Sequence, residues 1–274
     1  MTTLGCRPRF LGLCALAICI APAYAAHETG FLNRSVEVSG STYRYQVYVP
    51  ADWTEDRQWP VILFLHGAGE RGEDGLVQTQ TGLGGAIRKY SDRFPAVVVM
   101  PQCRTGVWWQ DPAMEAQALA ALDRTIREFK GDTDRVYLTG LSMGGYGTWA
   151  LAAKYPNKFA AIAAVCGGIR RPNRPGVPQE TAQSEDDPYA AAAQKIDKTP
   201  TWIFHGGADP TVPVTESRKM TEAFKAAGNP VKYTEYEGVG HNSWDKAYAE
   251  PEFPTWLLAQ RLSSRREPLR RASP

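Results

Sequence analysis

The sequence predicts an α/β fold with a single doubly wound, mostly parallel sheet and helices on both faces. Two observations predict it: short apolar runs alternate with segments of helical periodicity, and the runs at residues 61–65 and 96–100 are apolar throughout. The chain has 274 residues, of which 43% are hydrophobic and 22% charged, which suits one large domain. In such sheets ligands bind at the carboxyl ends of the strands, so the chemistry is expected there.

The first 25 residues predict a secretory signal peptide. Arg7 and Arg9 precede an apolar run over residues 10–20, and Ala23-Tyr24-Ala25 is a small-x-small cleavage site. An amino-terminal membrane anchor is the alternative, but the run is shorter than the roughly 20 residues that a span needs. We expect a secreted or periplasmic protein cut after Ala25, without stable membrane insertion, whose catalytic domain covers residues 26–262.

Net charge bears on the possible partners, and cysteine content bears on disulfide bonding. The formal net charge is +2, and loss of Arg7 and Arg9 brings it to zero, so nucleic acid is not an expected partner. The remaining basic cluster runs from Arg261 to Arg271, and we expect residues 263–274 to form a solvated, poorly ordered tail. Of five cysteines, only Cys103 and Cys166 remain after cleavage. The expected strand order separates them by about three strand spacings, near 14 Å, so we expect no disulfide between them.

The elements follow in order along the mature chain. Two alternating segments, residues 35–38 and 43–49, flank Ser39-Gly40-Ser41 and predict an antiparallel hairpin. The two apolar runs come next as buried strands. Further strands are predicted at residues 135–139, 159–165, 201–204 and 231–237, and helices at residues 112–130, 146–154, 214–227 and 253–262. The Pro-rich residues 170–188 predict an excursion over the sheet edge.

Ser142 lies in a glycine-rich turn between a predicted strand and a predicted helix, in the segment "RVYLTGLSMGGYGTW". A strand that turns abruptly into a helix strains the backbone at the apex, and side chains at Gly140 and Gly144 would collide there. The turn exposes the serine hydroxyl and leaves the Met143 N–H at a helix amino terminus, where an anion is favoured. The pattern predicts a serine nucleophile with Met143 as one oxyanion donor.

A serine nucleophile needs an imidazole base and an acid that orients it. His241 lies on a glycine-rich loop after the last strand and is the predicted base, whereas His66 and His205 each end a strand and are expected to hold loops by hydrogen bonds. Asp209 follows a strand and precedes a helix, which makes it the predicted acid. Asp186 or Asp187 in the excursion is the alternative.

Two further loops are expected at the same edge of the sheet. The turn after residue 65 reads "LFLHGAGERG" and offers the Ala68 N–H, aided by Gly67, as the second oxyanion donor. Trp108 and Trp109 in "CRTGVWWQD" are expected either to anchor their loop or to supply a flat apolar wall for the substrate.

The segments "LHGAGERGEDG", "PQCRTGVWWQD", "GLSMGGYGTW", "FHGGADPTVPV" and "GVGHNSWDKAY" together resemble the carboxylesterase or phospholipase-like branch of the α/β-hydrolases. That branch is similar to extracellular feruloyl and polyhydroxyalkanoate-type esterases and to the catalytic domain of prolyl oligopeptidases. The resemblance covers nearly the whole mature chain. It implies Ser142 as nucleophile, His241 as base and Asp209 as acid, the residues already reached from the pattern.

The predicted function is a secreted serine carboxylic-ester hydrolase that forms an acyl-enzyme and needs no cofactor or metal. We expect a small-molecule or polysaccharide-linked ester as substrate. A peptidase or amidase with the same triad is one alternative, and the absent propeller domain counts against it. A catalytically silent binding protein is the other.

Overall fold

The computed structural model describes residues 27–170 and 187–264, and these form one eight-stranded sheet flanked by helices. The strands are β1 (Gly30–Val38), β2 (Ser41–Val49), β3 (Trp59–Leu65), β4 (Val97–Pro101), β5 (Gly131–Leu141), β6 (Ala161–Val165), β7 (Thr201–Gly206) and β8 (Val231–Tyr236). The helices are α1 (Leu83–Lys89), α2 (Pro112–Glu128), α3 (Met143–Lys154), α4 (Pro188–Ile196), α5 (Thr215–Ala226), α6 (Trp244–Ala249) and α7 (Glu252–Leu258).

The strand order is β1-β2-β4-β3-β5-β6-β7-β8. The hairpin β1–β2 is antiparallel, β2 joins β4 antiparallel, and every later pair is parallel. The central strands β3 to β7 are buried on both faces of the sheet. This explains why they contain continuous apolar runs, the pattern from which they could be predicted. The predicted doubly wound sheet with an amino-terminal hairpin is confirmed.

Two apolar cores cover the two faces of the sheet. One packs α2, α3, α4 and α5 against it, and includes a ring contact between Trp149 and Phe224. The other packs α1, α6 and α7, where Trp202 stacks on Phe204 and both contact Phe253. Helices on both faces bury both sides of the central strands, as a parallel sheet requires.

Several boundaries differ from the sequence-based expectation. The helix after Ser142 begins at Met143 rather than residue 146, and the last predicted helix, residues 253–262, ends at Leu258. Helices α1, α4 and α6 are additional. Ser263, the first residue of the expected basic tail, donates to Asp134 through its backbone N–H and its hydroxyl at 2.6 and 2.7 Å, and residues 265–274 of that tail lie outside the described residues.

Cys103 follows β4 and Cys166 follows β6, with β3 and β5 between those strands. Both side chains are buried and they are not joined by a disulfide, so that prediction is confirmed. Within residues 27–170 and 187–264 no helix combines the length and apolar character needed to cross a membrane. The predicted signal peptide, Asp186 and most of the predicted excursion lie outside the described residues.

Candidate active site

Ser142 occupies the apex of the turn between β5 and α3. Its backbone has φ 51° and ψ −118°, in the positive-φ region that non-glycine residues rarely adopt. The Ser142 N–H donates to Val165 O at 2.9 Å, and the first turn of α3 returns to it through Tyr146 N–H, which donates to Ser142 O at 3.1 Å. Neighbouring backbone therefore holds the strained residue and presents its side chain at the carboxyl edge of the sheet.

The glycines around Ser142 are required by close backbone contacts. A Cβ on Gly140 would stand 2.3 Å from Gly144 O, and a Cβ on Gly144 would stand 1.9 Å from Leu65 O. Real Cβ atoms do not approach carbonyl oxygens so closely. The steric reason predicted for these two glycines is confirmed.

His241 joins Ser142 to Asp209 through two hydrogen bonds. Its Nε2 lies 2.8 Å from Ser142 Oγ, and its Nδ1 lies 2.7 Å from Asp209 Oδ2. Because an ionised carboxylate only accepts, Nδ1 carries the proton and Nε2 is free to accept the serine proton. The His241 side chain is 20% exposed and that of Asp209 is fully buried. The structure thus brings together the three side chains that the sequence singled out.

Asp209 receives several hydrogen bonds besides that from His241. The backbone N–H groups of Thr211 and Val212 donate to its Oδ1 at 2.8 and 2.9 Å, and His205 Nε2 lies 3.3 Å from its Oδ2. Burial alone would raise the pKa of Asp209, but the donors outweigh burial, first His205 and then His241, and hold that pKa well below its usual range. Asp209 therefore remains an anion facing the imidazole.

His205 was expected to hold a loop, and it does so at the base of the site. The ring is wholly buried, with Nδ1 2.6 Å from Ser217 Oγ and Nε2 3.0 Å from Val212 O. Since a carbonyl only accepts, Nε2 carries a proton, which is also directed toward Asp209. The contact between His205 and Asp209 is not among the sequence-based expectations, although the spacing of four residues across the end of β7 is a signal of it.

The alternative acids do not share this environment. Asp187 Oδ1 accepts the N–H groups of Tyr189 and Ala190, which makes Asp187 the amino-terminal cap of α4. Its carboxylate is thus used to cap a helix, and the hydrogen-bond partners of the His241 ring are Asp209 and Ser142. Asp186 lies outside the described residues.

His66 fixes the loop that carries Ala68. Cys103 N–H donates to His66 Nε2 at 2.9 Å, so the proton is on Nδ1, which donates to Gly67 O at 2.6 Å. Burial, together with the charge of Arg71, lowers the pKa of His66 to about 4 and keeps the ring neutral. In a trans peptide the N–H points opposite to the C=O, so this bond also sets the direction of the Ala68 N–H.

Met143 and Ala68 are the first residues of their helices, α3 and a short 3-10 turn over Ala68–Glu70. Their N–H groups have no acceptor within those helices, which leaves them available to an external oxygen. The two turns are in contact, since a Cβ on Gly67 would lie 3.7 Å from Ser142 Cβ. Their role as oxyanion donors stays a prediction.

Trp108 and Trp109 differ in how far their side chains are exposed. Trp109 is fully buried, its Nε1 donates to His66 O at 2.9 Å, and its side chain packs beside Gly147. The expectation that Trp109 contacts substrate is corrected, because its ring has no exposed surface. Trp108 is half-buried and meets Tyr146 edge to face at 5.6 Å between ring centres, so a substrate contact for Trp108 stays a prediction.

Cys166 completes a cluster of possible metal ligands with Asp209 and His241, the only such group in the part of the chain that the structure describes. Their ligand atoms lie within 4.8 Å of one another. Burial raises the pKa of the Cys166 thiol to about 12, so it does not supply a thiolate, and the other two groups are bonded to each other. The cluster fits a proton-transfer site better than a metal site.

Comparison with known proteins gives concordant results. The family model Esterase, described as "Putative esterase", matches residues 36–256. An "Uncharacterized secreted protein" of Arthroderma benhamiae is 26% identical over 82% of this chain, and poly(3-hydroxyalkanoate) depolymerase C of Paucimonas lemoignei is 26% identical over 66%. A solved thermostable esterase is 31% identical over 84% of this chain, with a TM-score of 0.71. This chain spans 27% and 45% of those two relatives and 63% of the solved esterase.

Proposed function

Because the chain belongs to the Esterase family and has its α/β-hydrolase fold, we propose that it is a serine carboxylic-ester hydrolase acting through Ser142, His241 and Asp209. One observation carries the proposal: an unbroken hydrogen-bonded series runs from Ser142 Oγ through the His241 ring to the buried Asp209 carboxylate. A hydroxyl, a neutral imidazole and an ionised carboxylate in this order form the arrangement that activates a serine.

In the first half of the reaction Ser142 Oγ attacks the ester carbonyl while His241 Nε2 takes the hydroxyl proton. The imidazolium that forms faces Asp209, whose negative charge stabilises it. The Met143 and Ala68 N–H groups receive the charge that develops on the carbonyl oxygen, each contributing roughly 3 to 4 kcal/mol to the transition state. His241 then gives its proton to the leaving alcohol, and an acyl-serine remains.

In the second half water attacks the acyl-serine, again with His241 as base. The proton passes to Ser142 Oγ as the acyl bond breaks, which releases the carboxylic acid and regenerates the hydroxyl. Atoms balance without any cofactor, because the ester and one water become one acid and one alcohol.

We propose that the protein is exported from the cell, on the basis of its amino-terminal sequence. The charged start, apolar run and Ala23-Tyr24-Ala25 site support a cleaved signal peptide, and a relative is named a secreted protein. A secreted or periplasmic esterase would meet small-molecule or polysaccharide-linked esters. Poly(3-hydroxyalkanoate) depolymerase C offers polymeric esters as a further class to include.

The test combines active-site labelling with turnover. We expect an organophosphonate to label Ser142 alone, and Ser142→Ala to lower kcat for 4-nitrophenyl acetate by about 10⁴-fold or more while the circular dichroism spectrum is retained. Ser91→Ala, at an exposed serine in another turn, is the matched control and should keep full activity. Undiminished turnover by Ser142→Ala would end the proposal, faster amide than ester cleavage would favour a peptidase, and normal folding without any turnover would favour a binding protein.

A further inference from the structure

Gln102 is a buried polar side chain that the proposed mechanism does not use. It directly follows β4 and is only 3% exposed. Its amide forms hydrogen bonds with three residues of the loop after β3. Nε2 donates to Glu70 O at 3.2 Å and to Asp74 Oδ1 at 3.1 Å, and Oε1 accepts the Gly75 N–H at 2.7 Å. Because Oε1 faces a donor and Nε2 faces two acceptors, the orientation of the amide is fixed.

The loop packs directly on this amide. A Cβ on Gly72 would stand 2.7 Å from Gln102 Nε2, and the Gly72 N–H donates to Cys103 O at 3.0 Å. Gln102 is also held from the side of α2, where the buried Gln117 donates from Nε2 to Gln102 O at 3.1 Å. A buried amide that loses its partners is not compensated by water. A movement of the loop away from Gln102 would therefore break several hydrogen bonds together.

One bond of Gln102 reaches the turn that carries the predicted oxyanion donor. The 3-10 turn that begins at Ala68 ends at Glu70, whose carbonyl accepts from Gln102. The start of the turn is fixed by His66, which accepts the Cys103 N–H at 2.9 Å and donates at 2.6 Å to the carbonyl just before Ala68. The turn is therefore tied at both ends to two consecutive residues that follow β4.

The position of this turn decides how well the Ala68 N–H can serve the reaction. The turn lies against the proposed nucleophile, since a Cβ on Gly67 would lie 3.7 Å from Ser142 Cβ. An oxyanion donor must lie about 3 Å from the oxygen that becomes charged. A misplacement of about 1 Å in an active site can cost about 10²-fold in rate. A side chain that fixes the turn can therefore act on the rate through Ala68 without touching the substrate.

We propose that Gln102 is a positioning residue, which holds the Ala68 N–H at hydrogen-bonding distance from the oxyanion through its bond to Glu70 O. This inference rests on the proposed esterase function and on the predicted role of Ala68. An oxyanion donor acts mainly in the transition state, because the charge on the carbonyl oxygen develops there. Loss of the Gln102 amide should therefore lower kcat and leave KM nearly unchanged. A role in stability alone would leave both constants unchanged once rates are expressed per folded active site.

Gln102→Met tests the proposal, because it keeps the length of the side chain and removes its hydrogen bonds. Rates with 4-nitrophenyl acetate are expressed per active site, counted by titration with an organophosphonate. We expect kcat to fall about 10- to 100-fold, up to the effect of losing one oxyanion donor, while KM changes by less than about twofold.

A transition-state analogue gives a second readout. When 1,1,1-trifluorooctan-2-one binds, Ser142 Oγ adds to its carbonyl carbon, the hydroxyl proton passes to His241, and the carbonyl oxygen becomes an anion. That anion occupies the place of the oxyanion in the reaction, so its inhibition constant depends on the same donors. In Gln102→Met we expect the inhibition constant to rise by the same factor by which kcat/KM falls.

Gln78→Met is the matched control. Gln78 is a fully buried glutamine in the same connection between β3 and α1, and its Nε2 donates to a backbone carbonyl, Met100 O, at 3.2 Å. The change should lower stability in urea, because it removes a buried hydrogen bond. It should leave kcat/KM per active site and the inhibition constant of the ketone unchanged.

Gln102→Glu isolates the bond to the turn. Its carboxylate can still accept the Gly75 N–H but, ionised at about pH 8, cannot donate to Glu70 O. We expect kcat/KM to fall and the inhibition constant of the ketone to rise, as in Gln102→Met. Should Gln102→Met fail to fold, Gln102→Glu carries the test.

Unchanged kcat/KM in Gln102→Met, or a fall in kcat/KM with an unchanged inhibition constant, would overturn the positioning role. An equal loss in Gln78→Met would show that Gln102 contributes only to the structure of the loop. Undiminished kcat/KM in Gln102→Glu would overturn the part assigned to the Glu70 bond. In each case Ser142-dependent hydrolysis by the wild type shows that the esterase proposal stands. If the wild type does not hydrolyse the ester, both proposals fail.

Discussion

At the scale of single residues, the acid of the proposed triad is held by two imidazoles. His241 and His205 both approach Asp209 Oδ2, at 2.7 and 3.3 Å, while the backbone of the following turn binds Oδ1. A buried carboxylate that accepts this many hydrogen bonds cannot rotate without losing several of them. Its orientation toward His241 is therefore fixed before substrate binds, which is the preorganisation that catalysis needs.

Asp209→Asn should lower kcat for a neutral ester by about 10⁴-fold, the cost of the same change in a comparable triad. The amide carries no charge to stabilise the imidazolium, and its NH₂ group favours the wrong tautomer of His241. Steady-state kinetics with 4-nitrophenyl acetate measure the effect. Asp187→Asn is the matched control and should change kcat little, because Asp187 only caps α4. The reverse ranking would move the catalytic acid to the segment before α4.

Some residues of the candidate site could be predicted from the sequence, and others could not. Ser142, Asp209 and His241 each come after a strand and have a glycine or proline within two residues, so a local pattern pointed to all three. The role of Trp109 could not be predicted locally. It depends on which neighbours bury the side chain, and only the tertiary structure supplies that information.

At the scale of elements, the turn from β5 into α3 is built against the end of β3. Gly144 contacts the Leu65 carbonyl, and the next residue, His66, begins the loop that carries Ala68. The proposed nucleophile and one proposed oxyanion donor are thus both positioned by the end of β3. A change in the packing of α3 on β3 would displace both.

Gly144→Ala should disrupt this junction. The new Cβ would stand 1.9 Å from Leu65 O, a backbone atom that cannot rotate away, so β3 or α3 must shift. We expect the free energy of unfolding in urea to fall by about 2 kcal/mol or more, with phosphonate labelling of Ser142 slowed in the fraction that folds. Gly69→Ala is the stability control, because nothing lies within 4 Å of its added Cβ. Equal unfolding curves for the two variants would contradict the close packing.

Long elements could be predicted better than short ones. Apolar runs in the sequence predict the buried strands, and α2 and α5 are long enough to show a helical period of apolar residues. Helices α1 and α6, which the sequence did not predict, have only seven and six residues, too few for a helical period, and Gly84 and Gly85 further weaken the helical signal in α1. Their formation depends on packing over the second core rather than on local preference.

At the scale of the whole molecule, the sheet order assembles the site from distant parts of the chain. Ser142 follows β5, Asp209 follows β7 and His241 follows β8, so parallel strands bring all three to one edge. The same order keeps Cys103 and Cys166 about three strand spacings apart. A rigid sheet with a core on each face is the reference frame on which the loops are positioned, so its stability sets the range of conditions in which the site exists.

His66 makes that stability depend on pH. Its pKa is about 4 in the folded protein and about 6.5 when the chain is unfolded, so between these values the unfolded state binds more protons. The His66 contribution is complete above pH 6.5 and is lost as pH falls toward 4, by about 3 kcal/mol. Glu235, with its pKa lowered to about 2, loses its contribution to stability only below about pH 4.5.

Urea unfolding at pH 7.0 and 4.5 should therefore show a smaller loss of stability in His66→Asn than in wild type. His27→Asn, at an exposed histidine before β1, should behave as wild type does. Parallel losses in wild type and His66→Asn would show that His66 does not carry this pH dependence.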